Sequence, residues 1–217
     1  MPVSRCSMPA MSTTLALVTL SGCAWLPQSD GEGSSRTSGL MHLTEEGARL
    51  ETCSGSAHQV RIDGELRALF ERVAEPAQNV LFVELRGQLV DGNSISPGAV
   101  VRLGATGDGC ADEVAAASQW VAEGERPEWM VRIAGSGLQL TTLGDEWQPI
   151  ITEKLPDGVR SFRTLEGEPV ELWVYPKPCF SRLNGYYYQS STRLLTAGES
   201  FAGCAYPGLL TGPPSAD

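Results

Sequence analysis

The side chains of this sequence with the most chemistry in them are six cysteines: Cys6, Cys23, Cys53, Cys110, Cys179 and Cys204. None stands in a Cys-x-x-Cys pair, so zinc-ribbon ligation and thioredoxin-type exchange lack their spacing. Cys23 follows Leu20-Ser21-Gly22 at the end of an apolar stretch, Thr13 to Leu20. A thiolate there is a nucleophile able to accept an acyl group. Histidine is scarce, His42 and His58 only. A Ser-His-Asp site would have to be built on His58, and no Gly-x-Ser-x-Gly elbow accompanies it. His58 reads as a half-exposed strand residue. The glycine-rich run LGATGDGCAD at 103–112 has no P-loop lysine and reads as a turn closing on a disulfide. Glu125, Glu128, Asp145 and Glu146 are paired by no motif and read as a solvated acidic face. No catalytic residue, cofactor or metal site is expected.

The remaining candidates are aromatic. Tyr186, Tyr187 and Tyr188 are adjacent, so a strand sends them to alternate faces. Trp129, Trp147 and Trp173 either line a cavity or fill a core. The candidate binding surface is Trp129, Trp173, Tyr186 and Tyr188, where exposed aromatics would anchor a protein partner.

Two β-rich regions must position these residues. In the first, Arg49–Cys53 and Gln59–Ile62 read as short strands. GELRALFERVAE spaces Leu66, Leu69, Phe70 and Val73 as one helix face, ended by Pro76. NVLFVELRGQLVDG alternates, with Val80, Phe82, Glu84 and Arg86 on one side, Leu81, Val83 and Leu85 on the other, and Gly87 as a bulge. AVVRLGAT is a further strand. In the second region, three hairpins follow: Trp129–Ile133 with Leu138–Thr142, a pair within 159–176, and a pair turning at Ala197–Glu199. The expected fold is mainly β, with an α+β first domain carrying one short helix. Both domains are small antiparallel barrels of OB-like type.

The net charge of −10, with 16 basic against 26 acidic residues, repels phosphate backbones and argues against nucleic-acid binding. Only two lysines occur, Lys154 and Lys177. The stretch PQSDGEGSSRTSGL at 27–40 shows no apolar period and reads as a flexible tether. A second weak break falls at Ala115 to Arg126.

Leu20-Ser21-Gly22-Cys23 resembles the lipobox of bacterial lipoproteins. The resemblance implies that residues 1–22 are a removed signal peptide and that Cys23 carries acyl chains. Several chains give the durable anchoring that one cannot. Ala24, where an aspartate would signal retention in enterobacterial sorting, implies a lipid anchor in the outer membrane, facing the periplasm. Residues 23–46 would then be the lipidated cysteine and its tether.

Two further resemblances cover the domains. Residues 47–114, through ETCSGSAHQV, GELRALFERVA, NVLFVELRGQLV and GDGC, resemble the C-terminal OB-like domain of the NlpE family of outer-membrane lipoproteins. This implies a Cys53–Cys110 disulfide. Residues 120–208, through ERPEW, PKPC, the Gly-Tyr strand from Gly185 and FAGCA, resemble META/HslJ-like domains of envelope lipoproteins, which implies Cys179–Cys204. Four mature cysteines allow three pairings. Residues 209–217 read as a disordered tail. The expected function is a non-catalytic binding or envelope-stress and redox-sensing role. The alternative is an inhibitor or carrier that binds a secreted enzyme such as a lysozyme, or a small apolar ligand.

Overall fold

Backbone hydrogen bonding is indifferent to side-chain polarity, and the first strand shows it. The computed structural model describes residues 34–135 and 137–211; Cys23 and the signal-like stretch lie outside them. The first strand, β1 (Ser35–Leu43), falls inside the stretch read as a tether. It pairs antiparallel with β2 (Ala48–Thr52) and with β4 (Val80–Val90), so the tether reading does not hold for these residues. Its Ser, Thr and Gly residues carry no apolar period because two neighbours, not its own composition, specify it. Gly39 is needed there, since a Cβ would overlap the carbonyl oxygen of Glu51.

β3 (Ala57–Val60) leads into α1 (Gly64–Val73). Asp63 caps the helix by accepting the Leu66 N–H at 2.8 Å, and Leu66 and Phe70 are its buried face. β5 (Ser94–Gly104) follows β4. The ring runs β1-β2-β3-β5-β4 and closes on β1, with β3 and β5 parallel and every other pair antiparallel. This is an OB-like barrel with its helix between the third and fourth strands. Met41, Leu50, Phe70, Leu81, Val83 and Leu103 form its core. The register of β4 against β5 shifts at Arg86/Gly87, the expected bulge, and again at Glu84/Leu85.

After a short turn comes α2 (Glu113–Ala116), and then the second barrel begins. It contains β6 (Trp120–Glu125), β7 (Glu128–Ala134), β8 (Gly137–Leu140), β9 (Gln148–Lys154), β10 (Arg160–Thr164) and β11 (Val170–Tyr175). Between β11 and its next strand the chain leaves as a small hairpin, β12 (Cys179–Phe180) and β13 (Tyr187–Tyr188). It returns as β14 (Ser190–Thr196) and β15 (Glu199–Pro207). Eight of these strands close an up-and-down barrel in chain order, β12 and β13 excepted. The three expected hairpins are present. β6 and β9 were not expected: the weak break at Ala115 to Arg126 contains a central strand. β6 shows little apolar pattern because Val121 and Ala122 are buried on opposite faces, one against each barrel.

β13 pairs with β5, Tyr187 opposite Leu103 and Tyr188 opposite Arg102. The first sheet thereby gains two strands from the second region, and the described residues form one compact unit. The boundary at 114–120 separates two barrels without separating two bodies. The expected pairings are present, Cys53–Cys110 and Cys179–Cys204, with Cα–Cα distances of 5.3 and 5.5 Å. The tail reading is corrected at its start. Leu209 and Leu210 donate their N–H groups to the carbonyls of Ala115, in α2, and Ser118, just past it.

Candidate functional site

β4 alternates as expected, but both of its faces are buried. Phe82 and Glu84 point away from the first core and toward the second barrel, and each is fully buried. Glu84 accepts from the Arg102 guanidinium at 2.7 Å and also from Arg36 on β1. Arg102 reaches on to Asp112, the cap of α2, which also accepts from the Tyr206 hydroxyl at 3.2 Å. Arg36 donates to the carbonyl of Pro207 at 2.6 Å and to that of Gly208. Two cations and two carboxylates thus balance, joining β1, β4 and β5 of one barrel to β15 of the other. Burial, and next the charge of Arg102, brings Arg36 down to about 10. Arg102 lies over the Tyr206 ring, 4.4 Å from its centroid, adding a cation–π contact.

The hairpin carrying β12 and β13 is fastened by this junction. Cys204 holds Cys179 from the wall of the second barrel. Glu123 on β6 accepts from Ser181 at 2.9 Å and from Asn184 at 3.1 Å. These contacts sit beside a cleft of about 240 Å³ lined by Glu125, Arg182 and the disulfide. Burial raises the Glu123 carboxyl above the usual carboxylate range, against the lowering effect of its hydrogen bonds. An acid whose folded-state pKa is raised loses stability as pH rises from its unfolded value through the folded one. The variant Glu123→Gln, which keeps an acceptor for Ser181 and Asn184, is therefore expected to melt higher than wild type at pH 8. The two should melt together at pH 4, as thermal unfolding across that range would show. A constant difference at every pH would remove the titration from the explanation.

Because the hairpin is fixed, the three tyrosines are too. Tyr188 stacks on Tyr206 at 5.0 Å, and Tyr186 bonds Thr106 and closes on Gly104, where a Cβ would overlap its ring. Both are buried, at 2% and 7% exposure. Trp129 is buried at 2% inside the second barrel, where Gly124 and Gly203 leave room for its ring. Of the four residues of the expected binding surface, only Trp173 is partly open, with its ring near-parallel to that of Tyr175 at 6.4 Å. That surface therefore does not exist as an assembly: alternation places Tyr186 and Tyr188 toward the second barrel, and closure of the barrel turns Trp129 inward. Its interior is filled by Trp129, Phe162, Leu172 and Leu194, among others.

Tyr187 takes the opposite face and is half-buried. Its ring meets Phe180 edge-on at 5.4 Å, and Arg72 of α1 lies over Phe180 at 3.7 Å. Tyr187 lines a groove of about 260 Å³ together with Leu66 and Leu69 of α1 and Pro97 to Val100 of β5. Asp63 and Glu65 stand at its lip. Burial, and after it the charge of Glu65, raises the Tyr187 phenol. The groove needs both regions: a helix and strand from the first, a hairpin from the second. His42 stands on β1, 3.8 Å from Glu51, and His58 is half-buried on β3. Among the described residues, no group of three or more His, Cys, Asp or Glu side chains could hold a metal ion. Glu84 left a signal in the sequence, a charge inside the run LFVEL, but alternation made it look solvent-facing. Searches among protein-family models, curated proteins and solved structures find no match to this chain.

Proposed function

We propose that this chain is a lipid-anchored protein of the bacterial cell envelope that binds a partner and carries out no catalysis. Its first barrel is read as NlpE-like and its second as META/HslJ-like. The observation that carries the binding reading is the groove that the first barrel builds together with the hairpin of the second region. Two disulfides suit an oxidising compartment such as the periplasm. Leu20-Ser21-Gly22-Cys23 supplies the anchor, placed at the outer membrane by Ala24. The eleven residues 24–34 reach at most about 38 Å, so the barrels would work close to the membrane surface. An envelope-stress sensor is one use of such a binder, and an inhibitor of a secreted basic enzyme is another. The net charge of −10 favours a basic partner. The filled barrel interior weighs against a carrier of apolar ligands.

Fractionation of the native host tests the anchor. Wild type should sediment with the outer membrane and take up radiolabelled palmitate, whereas Cys23→Ala should lose both properties. A soluble wild type that retains Met1 would end this reading.

A further inference from the structure

We infer that the groove between α1 and β5 receives a basic segment of a partner protein, taken up through its side chains and not by strand addition. This rests on the binding reading above and names the partner's chemistry. Two of the ten groove residues are carboxylates, Asp63 and Glu65, and none is a cation. Asp63 commits one oxygen to capping α1. Glu65 is exposed and makes no ion pair among the described residues; Arg61 and Arg67, its cationic neighbours in sequence, are not among the groove's residues. Below this acidic lip the walls are apolar or aromatic: Leu66, Leu69, Val100 and the Tyr187 ring. An arginine or long lysine fits both halves, its stem on the apolar wall and its charge at Glu65. Tyr187, whose phenol feels the Glu65 charge, lines the same groove.

The edge of β5 explains why side chains do the recognising. β3 covers it at Ser94–Ile95 and β13 at Arg102–Leu103. From Ser96 to Val100 no strand is paired on that side among the described residues. Such a gap invites an added strand. Here Pro97 lacks a donor, and the register shifts leave Gly98 and Val101 as bulged residues. Proline and bulges are the features that keep strands off an edge. A second copy of this chain is a poor occupant, since it brings the same charge of −10.

Fluorescence anisotropy on the full chain tests the inference, with a labelled peptide Gly-Leu-Arg-Leu-Arg-Gly and its citrulline counterpart. Wild type should bind the arginine peptide at least about tenfold more tightly than the citrulline one. Glu65→Gln should weaken binding by about twofold to fivefold and Tyr187→Leu by about fivefold to tenfold. Glu146→Gln, which removes an exposed carboxylate elsewhere, should not. N-methylation of the peptide backbone should leave affinity unchanged. Equal binding of the two peptides, no binding by wild type, or an equal loss in Glu146→Gln would overturn the inference. So would loss on N-methylation, or self-association in sedimentation that Glu65→Gln abolishes. The membrane fractionation is independent: failure here with Cys23-dependent anchoring intact removes the basic partner and leaves the anchor standing.

Discussion

Glu84→Gln is expected to cost about 3–5 kcal/mol of stability, the range for breaking a buried ion pair by removing one partner. The substitution changes shape little and leaves two guanidinium groups, Arg36 and Arg102, around a neutral amide. Glu84 is fully buried and the Arg102 side chain is only 4% exposed, so solvent cannot screen the remaining charge. Asp112 stays with Arg102, while Arg36 keeps the Pro207 and Gly208 carbonyls. Neither compensates for the lost carboxylate. Replacing both members, Glu84→Leu with Arg102→Met, should recover part of the loss, because a well-packed apolar pair removes their desolvation cost, while Asp112, its side chain 19% exposed, loses Arg102 but keeps the Tyr206 hydroxyl. Arg36 tolerates this, being 23% exposed and able to turn toward water. Urea unfolding of the single and double variants measures both effects. A loss below about 1 kcal/mol for Glu84→Gln would mean that the junction is hydrated and behaves as a surface ion pair.

Opening Cys53–Cys110 by the double substitution to serine is expected to cost about 4 kcal/mol, from the loop entropy of a bridge spanning 57 residues. The Cys179–Cys204 bridge, spanning 25 residues, is worth about 3.5 kcal/mol on the same reasoning. Against a typical total of about 5–15 kcal/mol, either loss is large. The first bridge has a second consequence. It ties the end of β2 to the turn just before Asp112, the carboxylate that receives Arg102. The serine variant and Glu84→Gln should therefore not be additive, as sites sharing one network rarely are. The measurement is the urea midpoint of each variant and of their combination. Strict additivity would detach the bridge from the junction.

Local pattern was enough for much of the architecture. The spacing of Leu66, Leu69, Phe70 and Val73 made a helix face, of which Leu66 and Phe70 are buried. Alternation in Val170, Leu172 and Val174 placed those side chains in a barrel core. These features were legible because helix and strand periods are written into the order of apolar residues. The disulfide pairs followed from family resemblance and not from spacing, and both are present.

The junction was decided by tertiary structure. β1 and β6 carry weak patterns, since a strand paired on both sides, or buried on both faces, needs no clean alternation to hold it. The same double burial hid Glu84, whose place in the alternating run is that of a surface residue on an isolated barrel. Once the second barrel covers that face, a charge there must find partners: Arg36 and Arg102 supply them from two other strands, and Asp112 in turn balances Arg102. The hairpin that pairs with β5 sends Tyr186 and Tyr188 into the junction and turns Tyr187 outward. Sequence alone determined that these three tyrosines alternate. Which of them stays half-open depended on which barrel stood behind the strand, because burial is a property of the surface that covers a residue and not of the residue itself.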